Sequence, residues 1–268
     1  MTSLGADSSL IGALESRLVN AWPSFEIEIA DGWLLRFAEG YSKRANSASP
    51  LLPGARLDAE LVRHIAATFD SRGLPACFRL NGLEDPGTDD VLAAEGYVPY
   101  DPSLCLVAPL GTTGELDGAV VLRPVAKPRW VAAAAASYGG DKANADILGR
   151  IVRAIHQPSA FATLLLDGED AAWAFAVAER GFVGIYDVVV APNLRGLGLG
   201  RRLVTSLMTW GARQGATKAY LQMRETNTVA HGLYRALGYE TAYRYTHRVP
   251  PGDPEARQAA GAPERAGA

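Results

Sequence analysis

The run Val188-Val-Val-Ala-Pro-Asn-Leu-Arg-Gly-Leu-Gly-Leu-Gly-Arg-Arg202 constrains this chain more than any other segment. Its β-branched start predicts a strand, the alternating glycines a tight turn, and the recurrence of Leu199, Leu203, Leu207 and Trp210 at helical spacing a helix with one apolar stripe. Such a helix must lie on a sheet, so the fold class is α/β. The junction is also an anion site. First-turn N–H groups of a helix lack internal partners and its dipole favours negative charge there, while Gly196, Gly198 and Gly200 let main-chain amides approach a phosphate. Arg195, Arg201 and Arg202 add charged donors.

Spelling excludes the commoner glycine motifs. From Gly196 the sixth position is Arg201, and from Gly198 it is Leu203, so the dinucleotide fingerprint is absent. Gly200 is followed by Arg201-Arg202 rather than Lys-Ser/Thr, which removes the Walker loop. No Gly-x-Ser-x-Gly elbow supports a serine hydrolase. His64, His156, His231 and His247 lack metal-site spacing, and only His231 falls in a helix with functional motifs. A net charge of −3 argues against a nucleic-acid partner, which would call for a basic surplus. Cys77 and Cys105 form no C-x-x-C pair and read as buried thiols in a reducing cytosol. Residues 1–7 carry no basic leader, and the Ala-rich stretch 130–136 falls short of the roughly 20 residues that cross a bilayer. The chain is therefore expected to be cytoplasmic, with no membrane partner.

With 268 residues, two domains are expected. In residues 1–110 the pattern predicts a helix from Ser8 or Ser9 to Trp22-Pro23, a hairpin of strands 25–30 and 33–38 turning at Asp31-Gly32, a third strand over 41–49, a helix over 57–69, a strand over 76–80, a short helix over 88–95 and a closing strand over 103–108. The Gly/Thr-rich stretch 109–114 reads as a linker. Residues 115–249 predict a strand over 119–123, helices near 129–137 and 143–155, strands over 160–166, 171–178 and 182–190, the helix 199–214, a strand over 218–223, a helix over 226–237 and a strand over 240–248. Residues 250–268 lack periodicity and are expected to be disordered. A faint repeat relates Leu92-Ala-Ala-Glu-Gly-Tyr97 to Tyr234-Arg-Ala-Leu-Gly-Tyr239, at an offset of 142.

The Arg-x-x-Gly-x-Gly pattern of Arg195, Gly198 and Gly200, followed by Asn227, Ala230, Leu233-Tyr234 and Leu237-Gly238-Tyr239, resembles the two motifs of the GNAT superfamily of acyl-CoA-dependent N-acetyltransferases, in the same order. The resemblance spans roughly residues 119–248 and implies acetyl-CoA as co-substrate, with no metal. It implies that the main chain of Val188, Val189 and Val190 pairs with the pantetheine arm. The amides of Gly196, Leu197, Gly198, Leu199, Gly200 and Arg201, with Arg195, would hold the diphosphate. Asn227 would touch the CoA arm, and Tyr234 would sit at the thioester sulfur as acid; without the motif it would read as a core tyrosine. Where the family often carries a Glu base, this chain has Phe182-Val-Gly-Ile-Tyr186. Asp187 is then either a base, acting directly or through water, or a structural carboxylate at a sheet bulge. Glu225 is a further candidate on the acceptor side.

The stretches 31–36 and 41–47 resemble tandem GNAT proteins whose first copy is degenerate. Here that copy has Pro50-Leu-Leu-Pro-Gly54 in place of a glycine loop and Leu92 where the repeat places Tyr234, so it should not bind CoA. The expected architecture is two GNAT-like mixed sheets flanked by helices. Arg36, Arg44, Asn46 and Arg79, on or near strands of the first copy, are expected to recognise a carboxylate at an interdomain cleft. The expected partner is a small-molecule amine such as an amino acid. Two other readings stay open: an acyl-CoA sensor without turnover, and an acetyltransferase acting on protein Lys or N-termini. The oligomeric state is not legible.

Overall fold

The computed structural model describes residues 7–111, 114–137 and 140–253. Helix α1 (Ser8–Ala21) starts where Asp7 accepts the Ser9 amide at 2.9 Å, and it buries Ile11, Leu14 and Leu18. Strands β1 (Glu26–Ala30) and β2 (Trp33–Phe37) form the expected hairpin, with Asp31 and Gly32 both at positive φ. The third strand departs from expectation. Asn46 Oδ1 accepts the amides of Ala38 and Gly40 at 2.7 and 3.0 Å, and its Nδ2 donates to the Ser42 carbonyl at 2.8 Å. This folds the segment into a 3-10 turn (Lys43–Ala45), and only β3 (Ala48–Pro50) remains extended. Helix α2 (Ala59–Asp70), strand β4 (Phe78–Leu80), helix α3 (Thr88–Ala94) and strand β5 (Val98–Pro109) complete this half. Strand β5 begins earlier than Pro99 and Pro102 suggest, because Asp101, at φ +55, takes up an irregularity in its pairing.

The second half runs β6 (Val120–Arg123), α4 (Pro128–Ser137), α5 (Lys142–Arg153), β7 (Ser159–Leu166), β8 (Glu169–Glu179), β9 (Phe182–Val190), α6 (Leu199–Arg213), β10 (Lys218–Arg224), α7 (Thr228–Ala236) and β11 (Glu240–Val249). All strands join one mixed sheet in the order β1-β2-β3-β4-β11-β5-β10-β9-β8-β7-β6. The centre is an exchange of closing strands: β5 lies between β10 and β11, and β11 lies between β4 and β5. The offset of 142 carries Tyr97 onto Tyr239 and the start of β5 onto the start of β11, so the faint repeat in sequence is a repeat of topology. Helices α6 and α7 cover one face of the second half, with Leu203 and Leu207 of α6 packed in one core with Val183 and Ile185, while α1, α4 and α5 pack on the other over Phe161, Phe175 and Tyr186.

Residues 250–253 are not part of a loose tail: Asp253 is 5% exposed and pairs with Lys43 at 3.2 Å. The remainder of the expected tail, residues 254–268, lies outside the described residues. Cys77 and Cys105 are buried and not joined in a disulfide. Among the described residues no helix is long and apolar enough to cross a membrane.

Candidate active site

The parallel ladder between β9 and β10 joins Phe182–Ile185 to Lys218–Leu221 and stops at the Ile185↔Leu221 pair. Beyond it β9 stays with β8, and β10 stays with β5, so the two strands fork. Residues 188–190 lie on the fork side past the last β9–β10 pair. The register shift opposite Trp173 and Phe175 falls at Asp187, whose φ of +50 is the left-handed conformation of a bulge. Asp187 is therefore half-buried at the point where the strands part.

The glycine turn closes the mouth of this fork. Gly196 and Gly198 adopt φ of +79 and +75, and a methyl group at either would meet nothing, so the turn needs glycine for its backbone angles and lies open to an approaching ligand. Gly198 caps α6 without a side-chain hydrogen bond. Leu199 anchors the helix in the core, while Leu197 is 61% exposed. A methyl on Gly200 would stand 3.6 Å from both Val190 Cγ2 and Leu233 Cδ2, which puts the first turn of α6 against the end of β9 and against α7. Arg195 and Arg201 are exposed beside the turn. Arg202 is committed elsewhere: it forks onto Asp117 at 2.6 and 3.0 Å and holds that carboxyl below its usual range. The matching helix of the first half is closed to anions, because the Asp58 carboxylate accepts the Leu61 amide at 2.8 Å at the start of α2.

Tyr234 projects from α7 into the core layer under α6, edge-on to Tyr239 at 5.7 Å, and burial pushes its phenol up to about 12. Asn227 caps α7, its Oδ1 accepting the Ala230 amide at 3.0 Å. On the opposite layer, burial and then the Asp187 charge raise the Tyr41 phenol while Arg44 lowers it, which sets Tyr41 of the first half within electrostatic reach of Asp187 of the second. Arg44 also lies 5.0 Å from the Trp22 ring.

The other arginines of the first half are framework. Arg36, 2% exposed, donates to the carbonyls of Arg44 (2.8 Å) and Trp22, and burial with the nearby Arg79 brings its guanidinium down to about 9. Arg79 forks onto Glu15 of α1 (2.9 Å for one arm) and lies 4.0 Å over the Tyr245 ring. With Asn46 spent on its own loop, the structure gives these three side chains to the protein's own groups. Glu225 pairs with Arg244. Two residues stood outside the sequence expectation. Gln222 follows the last β10 residue paired with β9, and His247 is buried with neither ring nitrogen hydrogen-bonded among the described residues. His231 is exposed on α7.

A forked parallel strand pair capped by a glycine-punctuated helix start, within this mixed sheet, is the GNAT fold that the sequence motifs resemble. A family described as "Probable histone acetyltransferase Rv0428c C-terminal" matches residues 8–248, and the chain belongs to it. The chain is 30% identical over 256 residues to the probable histone acetyltransferase Rv0428c of Mycobacterium tuberculosis, across 89% of this chain and 74% of that protein. It is 25% identical over 248 residues to the uncharacterized N-acetyltransferase YobR of Bacillus subtilis, across 89% of this chain and 98% of that one. Among solved structures, a GCN5-related N-acetyltransferase from Kribbella flavida superposes with a TM-score of 0.65 at 21% identity, covering 93% of this chain and 97% of its own. A tandem GNAT protein from the clavulanic acid biosynthesis pathway gives 0.54 at 15%, covering 74% and 75%. At such identities these two structures speak for the fold alone.

Proposed function

We propose that this chain transfers an acetyl group from acetyl-CoA to a primary amine of a small molecule, in a direct ternary complex. The observation that carries the reading is the fork of β9 and β10 ending at the uncapped start of α6. The amides of 196–201, with Arg195 and Arg201, would hold the diphosphate, the edge of 188–190 would take the pantetheine arm, and Asn227 would flank it. The thioester supplies the acetyl group.

An alkylamine of pKa near 10.4 is mostly protonated at pH 7, and freeing its lone pair costs about 4.6 kcal/mol. Asp187, set on the fork by its bulge, is the group we assign to that proton, directly or through water. Tyr234 keeps its own proton at neutral pH, because burial has raised its phenol to about 12. Complete transfer to a thiolate of reference pKa near 8.5 would run uphill by about 5 kcal/mol. Tyr234 therefore acts as a hydrogen-bond donor that stabilises the departing sulfur. Arg44, which like Asp187 acts on the Tyr41 phenol, would read an acidic substituent on the acceptor.

Acetyl-CoA and an amine panel, followed by thiol release, test this reading; binding without release on every amine makes the chain a sensor. A second reading is favoured by one observation, the name histone acetyltransferase carried by the relative from Mycobacterium tuberculosis. Lysine peptides belong in the same panel, and acetylation of peptides with no small amine accepted would decide for that reading.

A further inference from the structure

Gln222 is the first β10 residue past the end of the β9–β10 ladder, and in the register set by Ile185 and Leu221 it stands level with Tyr186, next to Asp187. It shares a sheet face with Tyr220, whose hydroxyl is hydrogen-bonded to that of Tyr186. Its side chain thus faces the layer that holds Tyr41, Tyr186 and Tyr243.

The surroundings dictate which way its amide points. Nε2 lies 3.4 Å from Glu15 Oε1 and 3.4 Å from the Tyr243 hydroxyl oxygen. Glu15 already accepts from Arg79 and from the Tyr243 hydroxyl, so the hydroxyl oxygen offers only lone pairs to the amide. The reversed amide would set a carbonyl oxygen against the Glu15 carboxylate. One orientation remains, and in it Oε1 is buried with no hydrogen-bond partner among the described residues. A buried amide oxygen without a donor is unfavourable, and such a group beside the end of the β9–β10 ladder is explained when a ligand supplies the donor.

We propose that Gln222 positions the acceptor by accepting, at Oε1, the N–H that remains on nitrogen after acetyl transfer, and that this restricts the site to primary amines. The inference rests on the acetyl-transfer reading above. A primary amine as free base carries two N–H bonds. The ammonium proton has gone to Asp187 before attack; as the C–N bond forms and the C–S bond breaks, one further proton leaves the nitrogen and passes through water to the thiolate, which departs against the Tyr234 hydroxyl. The second hydrogen stays in the amide product, and this is the one that Gln222 holds. A secondary amine has a single N–H, which is the one that leaves, so Oε1 would face no donor. Glu15 and Tyr243 act through Gln222 by fixing its orientation.

The test compares kcat/KM for matched acceptors: 2-phenylethylamine and its N-methyl derivative, glycine and sarcosine, and a lysine peptide with its N-methyl-lysine counterpart. We expect the wild-type protein to favour the primary member of an accepted pair at least about tenfold, the worth of one good hydrogen bond. Gln222→Leu should bring the ratio to within about threefold, through loss on the primary amine, with the calorimetric Kd for acetyl-CoA unchanged. Tyr243→Phe leaves Gln222 in place but removes one partner of its amide, and should give an intermediate ratio. An unchanged ratio in Gln222→Leu overturns the inference, as does an equal fall for both members of a pair, which marks a purely structural role. Failure of the wild-type protein to release thiol with any pair would instead overturn the acetyl-transfer reading itself, and the inference with it.

Discussion

The two halves differ at one atom-level feature that can be transplanted. Helix α2 begins under the Asp58 carboxylate, whereas α6 begins at Gly198 with its first amides uncapped by any side chain. Gly198→Asp brings a carboxylate to the start of α6. The φ of +75 penalises aspartate by about 1 kcal/mol, and a carboxylate at a helix N-terminus returns about the same. Folding stability should therefore stay within about 1 kcal/mol, a shift of roughly 2–4 °C in Tm. Coenzyme A binding should suffer far more. A unit charge about 4 Å from another at an effective dielectric of 20 is worth about 4 kcal/mol. Solvent at this exposed turn screens part of it, leaving about 2 kcal/mol, or roughly thirtyfold in Kd. Gly198→Ala carries the backbone strain without the charge and serves as the reference. Calorimetry with CoA on both variants reads the difference, and a Gly198→Asp Kd within threefold of Gly198→Ala would refute the assignment of the diphosphate to this helix.

Tyr234→Phe should lower kcat by about a hundredfold and leave the Kd of acetyl-CoA unchanged, because the ring still packs and only the hydrogen bond to sulfur is lost; steady-state kinetics beside calorimetry separates the two. Asp187→Asn should lower kcat by about 10²–10⁴, while full retention of rate would leave Asp187 only its place in the bulge. Glu15→Ala strands Arg79 in the core without its carboxylate and should cost about 3–5 kcal/mol in denaturant unfolding. Tyr234 also links stability to alkaline pH. Its folded pKa of about 12 lies above the ordinary 10, so between these values the unfolded chain sheds a proton that the native state keeps, and stability falls as pH rises through that window. Tyr234→Phe should flatten part of that loss in urea titrations at pH 9, 10 and 11.

Local chemistry was legible wherever a local pattern carried it. The stripe on α6, the turn at Asp31-Gly32 and the glycine punctuation of 196–200 all stand in the structure at the expected places. What escaped depends on partners distant in the chain. Strand β5 looked like the closing strand of its own half, yet it pairs with β10 and β11, and nothing within 98–109 encodes those neighbours. Arg36 and Arg79 looked like strand arginines free to meet a substrate. The Glu15 that engages Arg79 lies 64 residues earlier, and Arg36 is bound by main-chain carbonyls that no residue identity announces. Asn46 was read as a ligand group because its loop was read as a strand. Gln222 carried no signal at all, since a glutamine on a strand is unremarkable until a carboxylate fixes its amide and a fork opens beside it.

The central claim is that the backbone of the β9–α6 junction, and no other anion site in the chain, receives coenzyme A. Amide nitrogen–hydrogen spectra recorded during a CoA titration test it residue by residue. The account predicts the largest shifts at 188–190 and 196–201, with the amides at the start of α2 unmoved; shifts centred on α2, or none in the 196–201 turn at saturating CoA, would contradict it.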